Sequence, residues 1–189
     1  MSVYLKREDL IFPLASGNKW RKLKHNFKAL NASSAKGILT FGGAYSNHLA
    51  ASAALAAQEQ IPIVGIVRGE ELAKKLLNPT LTHCKANGMQ LVFVTRAEYK
   101  LKELGETASR LVAAKNLVVS PEGGTNKLAV KGCMEILTND DMRFDVIGCA
   151  VGTGGTLAGL AASAAAHQKV VGFQMVDDAT IPDLSLIHI

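Results

Sequence analysis

The sequence has few cysteines, few aromatic residues and no long hydrophobic run. Cys84, Cys133 and Cys149 are scattered and form no CxxC pair, which argues against a disulfide framework and against a zinc site. Aromatic residues make up 5% of the chain, so aliphatic and small side chains must fill the core. No apolar run reaches the length of a transmembrane helix, and charged residues follow Met1 without a signal-peptide pattern. These absences predict a soluble, cytoplasmic protein.

The remaining composition is that of a packed protein with a modest positive charge. The chain has 189 residues, of which 48% are hydrophobic, enough for one ordinary domain or two small ones. The net charge is +5, and basic residues are densest between positions 19 and 28. Because aromatic and basic residues do not interleave, we predict no nucleic-acid partner. The positive balance fits an anionic small ligand equally well, and we predict no membrane partner.

Strand patterns alternate with helix patterns along the chain. This alternation predicts an α/β fold in which parallel sheets are covered by helices through right-handed crossovers. Ligands of such sheets bind at the carboxyl ends of the strands, where the loops 42–48 and 151–156 are expected. The predicted strands cover residues 3–6, 37–41, 61–67, 91–94, 117–119, 144–150 and 170–176, and the predicted helices cover 19–31, 49–58, 78–87, 99–114, 126–137 and 157–166.

A lysine, Lys19, lies where a loop turns into a helix. Gly17 permits backbone angles that other residues avoid, and Ser16 or Asn18 is suited to cap the first turn. In that turn the free N–H groups and the helix dipole disfavour an ammonium and favour a neutral amine. A neutral amine is the form that Schiff-base chemistry requires. The alternative is an ordinary solvated lysine on a basic helix.

The helix that follows has an apolar stripe and a basic face. Trp20, Leu23, Phe27 and Leu30 recur at helical spacing and are predicted to face the core. The polar positions between them, Lys22 included, are predicted to fall largely on the opposite side, in contact with solvent.

A glycine-rich loop after an apolar strand is predicted to cradle an anion. Its glycines let backbone N–H groups approach a phosphate, the next helix adds its positive end, and two threonine hydroxyls add donors. A Walker loop is excluded because no Gly-Lys-Ser/Thr closes the motif. The cradle residues are Gly152, Thr153, Gly154, Gly155 and Thr156.

Two alternatives for this loop stay open. One is a nucleotide-binding, Rossmann-like module, because two of the three glycines of the dinucleotide fingerprint are present and Asp177 stands where a ribose-binding acid belongs. It is weakened because Leu157 holds the place of the third glycine. The other alternative is a tight turn with no ligand.

The loop at 42–48 ends in three polar residues. Asn47 is suited to hydrogen-bond a ring oxygen, and Ser46 lies in a first helical turn where its hydroxyl is suited to carry a proton. For Ser46 alone, a plain N-cap is a stronger interpretation than a proton carrier. For His48 alone, a polar residue with satisfied hydrogen bonds is a stronger interpretation than a catalyst.

Four segments, in this order along the chain, resemble the 1-aminocyclopropane-1-carboxylate deaminase / D-cysteine desulfhydrase family. That family belongs to the tryptophan-synthase-β-like (fold type II) pyridoxal-phosphate enzymes, and the resemblance covers roughly residues 3–176. Four motifs in register are more specific than any one of them. The segments are GNKWRKL at 17–23, GGAYSNH at 42–48, PEGGTN at 121–126 and VGTGGTLAG at 151–159.

The resemblance implies a role for each candidate residue. Lys19 matches the lysine that forms a Schiff base with pyridoxal 5'-phosphate, and Asn47 matches the asparagine that hydrogen-bonds the phenolic oxygen of that cofactor. Ser46 matches a serine near the substrate, as a proton shuttle or carboxylate contact. His48 falls at a position where members carry Gln or His, and Ser46, Asn47 and His48 are together expected at the substrate site. The loop 152–156 matches the phosphate cradle.

The resemblance also implies the fold and the reaction. The fold has two domains and three layers, with residues 31–125 in the smaller domain and 1–30 with 126–189 in the larger cofactor domain. A small amino acid, D-cysteine or 1-aminocyclopropane-1-carboxylate, is converted to a 2-keto acid and ammonia. The full-length protein is expected to be a homo-oligomer.

The sequence departs from the family pattern at its ends. Family chains continue past residue 189 with a tyrosine-bearing loop and a hydroxyl residue near the pyridine nitrogen, and a segment before Val3 is also missing. Residues 184–189 do not resemble the family. We therefore expect a truncated chain that is incomplete at both ends, with an inactive fragment as the alternative to an active enzyme.

Overall fold

The computed structural model describes residues 2–15 and 17–175, in which helices and strands alternate as predicted. No helix within those ranges is both long and apolar enough to cross a membrane. The helices are α1 (Asn18–Asn31), α2 (Asn47–Gln58), α3 (Pro79–Ala86), α4 (Arg96–Lys100), α5 (Glu106–Lys115), α6 (Lys127–Cys133) and α7 (Gly155–Ser163). The strands are β1 (Gly37–Gly42), β2 (Ile63–Arg68), β3 (Gln90–Val94), β4 (Leu117–Val119), β5 (Val146–Val151) and β6 (Lys169–Gln174).

The first sheet has four parallel strands in the order β3-β2-β1-β4. Its central strand β1 is buried along its whole length, which is typical of a parallel sheet covered on both faces. On one face Ile38 and Val67 join the core formed with α1 and α2. On the other face Phe41 and Ile66 join a second core that includes Tyr99. The prediction of parallel sheets covered by helices is confirmed.

The second sheet consists of β5 and β6, paired in parallel. Along β5 exposed and half-buried residues alternate up to Val151, which is buried. A small core of Cys133, Ile136 and Leu160 lies beneath this sheet. Phe173 of β6 is 60% exposed. The two sheets come from different segments of the chain, and their assignment to two domains stays a prediction.

Helices α1, α6 and α7 pack with their backbones in close contact. A Cβ atom at Gly132 of α6 would overlap the carbonyl oxygen of Arg21 in α1. A Cβ atom at Gly159 of α7 would overlap Cys133 of α6. Glycine at these two positions therefore sets the spacing of a three-helix layer, and α1 enters it with Leu23 and Phe27 turned to the core of the first sheet.

Three predicted elements are wrong in part. Residues 3–6 form no strand, and Val3 is 88% exposed. The predicted helix 99–114 is broken between α4 and α5, where Lys102 adopts a left-handed backbone with φ 51°. That conformation puts the Lys102 ammonium 3.5 Å above the ring centroid of Tyr99 and 2.7 Å from Glu122. The helix predicted over 126–137 ends at Cys133.

The break in the helix also changes which apolar residues face the core. A continuous helix over 99–114 would place Leu101, Leu104 and Ala108 on one face. Leu101 and Leu104 are instead 54% and 82% exposed, while Ala108 is buried. Ser16 as a cap, Asp177 as a ribose-binding acid and the segment 184–189 lie outside the described residues.

Candidate active site

Helix α1 begins at a glycine and brings two lysines to one side. Gly17 is the N-cap residue with φ 68°, a left-handed conformation that favours glycine, and no side chain among the described residues caps the helix. Asn18, expected as a possible cap, instead donates from Nδ2 to Thr156 Oγ1 at 2.8 Å. Lys19 and Lys22 are three residues apart and therefore share a helix face.

Lys19 lies in the first turn of α1, as predicted. Burial lowers the pKa of its side chain from the ordinary value, which increases the fraction of neutral amine at a given pH. Within residues 2–15 and 17–175, neither a hydrogen bond nor an ion pair engages its Nζ atom. Its amine is thus the unengaged one of the pair.

Lys22 was predicted to face solvent, and that prediction is wrong: its side chain is 2% exposed. The helix is buried on a second side because α6 and the glycine loop pack against it. Nζ of Lys22 donates to the carbonyl oxygen of Gly123 at 3.2 Å, to Thr125 Oγ1 at 2.8 Å and to Thr153 Oγ1 at 3.0 Å. Burial, and then the positive charge of Lys19, lower the pKa of Lys22 to about 8.

The predicted anion cradle lies directly against Lys22. Gly154 is the N-cap of α7 with φ 76°, and a Cβ atom at Gly155 would lie 3.1 Å from the Lys22 Nζ. Thr153 contacts Lys22 and Thr156 contacts Asn18, so both hydroxyls face α1. A Cβ atom at Gly152 would meet nothing within 4 Å, which leaves that side of the loop open.

The turn at 122–125 joins the two halves of this site. Gly123 and Gly124 have φ values of 67° and 69°. A Cβ atom at Gly123 would lie 2.9 Å from the Thr153 side chain, and one at Gly124 would lie 3.2 Å from His48 Cε1. Both the backbone conformation and the lack of space therefore require glycine here.

The three polar residues at the start of α2 have different surroundings. Ser46 is the N-cap, and its Oγ accepts from the backbone N of Leu49 at 3.2 Å, so the N-cap interpretation is confirmed. Asn47 is exposed, and its side chain has no partner among the described residues. The roles assigned to Ser46 and Asn47 in catalysis and cofactor binding stay predictions.

His48 is buried at 3% exposure between β1 and the glycine turn. Its Nε2 lies 2.8 Å from Thr40 Oγ1, whereas its Nδ1 has no partner in the described part of the chain. Burial, then the charges of Lys19 and Lys22, lower the pKa of His48 to about 3. The imidazole is therefore neutral at physiological pH, and its predicted contact with substrate stays untested.

The electrostatics of the site are uncompensated. Among the described residues, no carboxylate lies within 4 Å of the Lys19 or Lys22 ammonium groups. Nearby Glu122 is already engaged by Tyr99 at 2.5 Å and by Lys102 at 2.7 Å. Lys22 also adds its charge at the positive end of α7, where a cation is unfavourable. This arrangement favours a bound anion.

Sequence reasoning missed Lys22 and Thr125, although one signal for Lys22 was present. The spacing of Lys19, Lys22 and Asn26 places them along one side of a helix, and Asn26 Nδ2 donates to the Lys22 carbonyl oxygen at 2.7 Å. Thr125 had no such signal, because its contact with Lys22 joins residues 103 positions apart.

Comparison with known proteins identifies relatives of this chain. The family model described as pyridoxal-phosphate dependent enzyme matches residues 1–188. A Thermotoga maritima protein, provisionally named a 1-aminocyclopropane-1-carboxylate deaminase, is 34% identical over 90% of this chain and 57% of its own length. A Yersinia pestis D-cysteine desulfhydrase is 30% identical over 99% of this chain and 56% of its own.

A solved structure gives the same result for the fold. The crystal structure of a homologue of 1-aminocyclopropane-1-carboxylate deaminase has a TM-score of 0.78 and 25% identity, and the match covers 96% of this chain and 58% of that one. The chain has the fold type II architecture predicted from its sequence. It spans about half the length of the curated relatives it matches.

Proposed function

This chain belongs to the pyridoxal-phosphate dependent enzymes, and on that premise we propose that it is a lyase or deaminase acting on a small amino acid. The names of its relatives point to D-cysteine or 1-aminocyclopropane-1-carboxylate, with a 2-keto acid and ammonia as products. The cofactor of the family is pyridoxal 5'-phosphate. For the whole protein we also propose a cytoplasmic homo-oligomer, which light scattering and cell fractionation would test.

The observation that carries this proposal is the buried Lys22 ammonium at the start of α7. It has three neutral oxygen acceptors and, in the described residues, no counter-ion. A phosphate group would supply the missing negative charge and accept from the backbone N–H groups of the loop 152–156. The Lys22 ammonium, whose three N–H groups are already donated, would attract it through charge. We therefore assign the phosphate to that loop, with Thr153 and Thr156 as hydroxyl donors and Lys22 as an additional cationic contact.

The remaining residues receive roles that follow from their chemistry. When bound, the cofactor supplies an electron sink for the carbanion formed at the α-carbon of the amino acid. Lys19 is the amine that attaches the cofactor, since burial favours its neutral form. Asn47, whose amide has no partner among the described residues, is assigned to the phenolic oxygen of the ring. Ser46 keeps a hydroxyl proton to donate, because its Oγ already accepts from Leu49.

Visible absorption tests the assignment of Lys19. We expect purified chain mixed with pyridoxal 5'-phosphate to develop a Schiff-base band that Lys19→Ala abolishes. Lys28→Ala is the matched control, because Lys28 is an exposed lysine of the same helix. Borohydride reduction followed by peptide mass spectrometry should locate the label on Lys19. A band that persists in Lys19→Ala, or a label on another lysine, would contradict the proposal.

A second measurement separates the enzyme from an inactive fragment. Chain that shows the Schiff-base band and has not been treated with borohydride is incubated with D-cysteine or 1-aminocyclopropane-1-carboxylate, and keto acid and ammonia are measured. Turnover supports the proposed reaction and identifies the substrate. A folded chain that shows the band but gives no turnover would instead support the inactive fragment. The nucleotide-binding alternative has lost its support, because the family match covers nearly the whole chain and Leu157 replaces the third fingerprint glycine.

A further inference from the structure

A continuous series of contacts runs from the central strand of the first sheet to Lys22. Thr40 of β1 is fully buried, and its Oγ1 lies 2.8 Å from Nε2 of His48. The other side of the imidazole lies against Gly124, where a Cβ atom would be 3.2 Å from Cε1 and 3.4 Å from Nδ1. Gly123, the preceding residue, accepts the Lys22 hydrogen bond through its carbonyl oxygen.

The glycine turn is confined on both sides by side chains. His48 lies on one side, at Gly124, and Thr153 lies on the other side, at Gly123. The turn has a backbone hydrogen bond of its own, from Gly124 N to Pro121 O at 2.8 Å. Gly123 and Gly124 carry no side chains, so packing against these two neighbours restricts where the Gly123 carbonyl points. The orientation of that carbonyl in turn determines one of the three bonds of Lys22.

We propose that His48 is a positioning residue, which supports the Gly123–Gly124 turn and thereby holds Lys22 at the anion site. This inference rests on the proposed function, since the anion concerned is the phosphate of the cofactor. It refines the predicted role of His48, because the buried ring acts through the turn.

Three features fit this role better than simple filling of the core. The bond to Thr40 fixes the plane of the ring, which an aliphatic side chain of similar volume would not do. The imidazole is also neutral, so it adds no third positive charge beside Lys19 and Lys22. Its Nδ1 has no partner in the described residues although it is buried, an arrangement that is unfavourable for a residue with a packing role alone.

Phosphate preference is the quantity that tests the proposal. It is the ratio of the dissociation constants of pyridoxal and pyridoxal 5'-phosphate, measured by fluorescence titration, with inorganic phosphate titrated separately by calorimetry. Loss of a buried opposite charge beside an anion corresponds to about 10- to 100-fold in affinity, so we expect Lys22→Met to lower the preference by about that factor. We expect His48→Ala to lower the phosphate preference by roughly 5- to 10-fold and to weaken the binding of inorganic phosphate by the same factor.

The double variant decides whether His48 acts through Lys22. If it does, His48→Ala has no further effect on phosphate preference once Lys22→Met is present. Ser52→Ala is the matched control, because Ser52 is also buried on α2 with an unpartnered Oγ but lies one turn farther along. We expect it to leave the preference unchanged. Thr40→Val, which releases the ring without opening a cavity, should reproduce part of the His48→Ala effect even if His48→Ala fails to fold.

The outcomes distinguish this inference from the proposed function. If Lys22→Met abolishes the preference but His48→Ala and Thr40→Val leave it unchanged, the positioning role is overturned and the proposed function stands. The positioning role is likewise overturned, and the proposed function stands, if His48→Ala lowers the phosphate preference by the same factor in the parent chain and in Lys22→Met. If the parent chain binds pyridoxal 5'-phosphate no better than pyridoxal, the phosphate assignment and the inference are both overturned.

Discussion

The two sheets of this molecule differ in how well they are covered, although each leads into one loop of the site. In the four-stranded sheet, all of β1 is buried and Phe41 is 1% exposed. In the two-stranded sheet, exposed and half-buried residues alternate along β5, and Phe173 is 60% exposed. The loop at 42–48 follows the first kind of strand, and the loop at 152–156 follows the second.

This difference shows that the two loops are held by different forces. The first is fixed by hydrophobic burial of the strand that precedes it. The second is fixed by the helices around it, since Gly132 lets α6 contact α1 and Gly159 lets α7 contact α6. The proposed phosphate cradle thus depends more on helix contacts than on the core of its own sheet.

Truncating one phenylalanine in each sheet sharpens the comparison. We expect Phe41→Ala to lower the free energy of unfolding by about 3–5 kcal/mol, because it opens a cavity in a covered core. Phe173→Ala should lower the free energy of unfolding by less than about 1 kcal/mol, because the residue is already 60% exposed. Urea unfolding followed by circular dichroism measures both. Equal losses would mean that the second sheet is as well packed as the first.

Adding a methyl group at the helix contact breaks the support of the second loop. Gly132→Ala puts a Cβ atom into the Arg21 carbonyl oxygen, and a backbone clash cannot be relieved by a rotamer change. We expect a loss of about 3 kcal/mol in unfolding free energy, together with weaker binding of pyridoxal 5'-phosphate.

The matched control for this substitution is Gly152→Ala, measured for stability by the same urea unfolding. A Cβ atom there meets nothing within 4 Å, so the change in unfolding free energy should stay within about 1 kcal/mol. If Gly132→Ala is as well tolerated as Gly152→Ala, the helix contact does not hold the loop.

The buried Lys22, which contacts the second loop, makes the stability of the protein depend on pH. The pKa of Lys22 falls from the ordinary 10.5 to about 8 on folding, so between these values the unfolded chain binds more protons than the folded chain. Stability without added phosphate should therefore rise from pH 8 to pH 10.5 by roughly 2–3 kcal/mol. Urea midpoints of parent and Lys22→Met across this range isolate the effect, because the variant lacks it and should be more stable at pH 7. Parallel pH profiles would disprove the shift.

The smallest effect is expected at the exposed edge of the α1–α6 contact. Glu135 forms an ion pair with Lys24, and its Oε1 lies 2.7 Å from Nε2 of His25. Exposed pairs contribute little, so Glu135→Gln should lower the unfolding free energy by less than about 1 kcal/mol, and 1 M salt should remove the difference. A larger loss would show that charge, as well as glycine spacing, holds the helices together.

Much of this structure is readable from the sequence because it depends on local patterns. The strands β1 to β6 recur as apolar runs, and the glycines of the loop at 152–156 follow from the backbone approach that an anion requires. Lys19 could be placed in a first helical turn because Gly17 precedes it and the helix begins at once.

The features that escaped prediction depend on contacts between distant segments. The helix predicted over 99–114 breaks because Lys102 takes a strained conformation that brings its ammonium to Tyr99 and Glu122, and no local pattern encodes that gain. Lys22 was predicted to face solvent because a helical wheel identifies only the apolar stripe that packs against one neighbouring layer. Helix α1 is also buried on a second side, where α6 and the glycine loop surround the Lys22 ammonium.

The contacts of Lys22 also have a consequence for the order in which the protein assembles. During synthesis the lysine emerges 103 residues before Thr125 and 131 residues before Thr153, so it first exists as an ordinary solvated cation on a nascent helix. Pairings this remote in sequence form late, because closing long loops is entropically unfavourable until other contacts repay it. We therefore expect most of the first sheet to form before the Lys22 side chain is buried away from solvent.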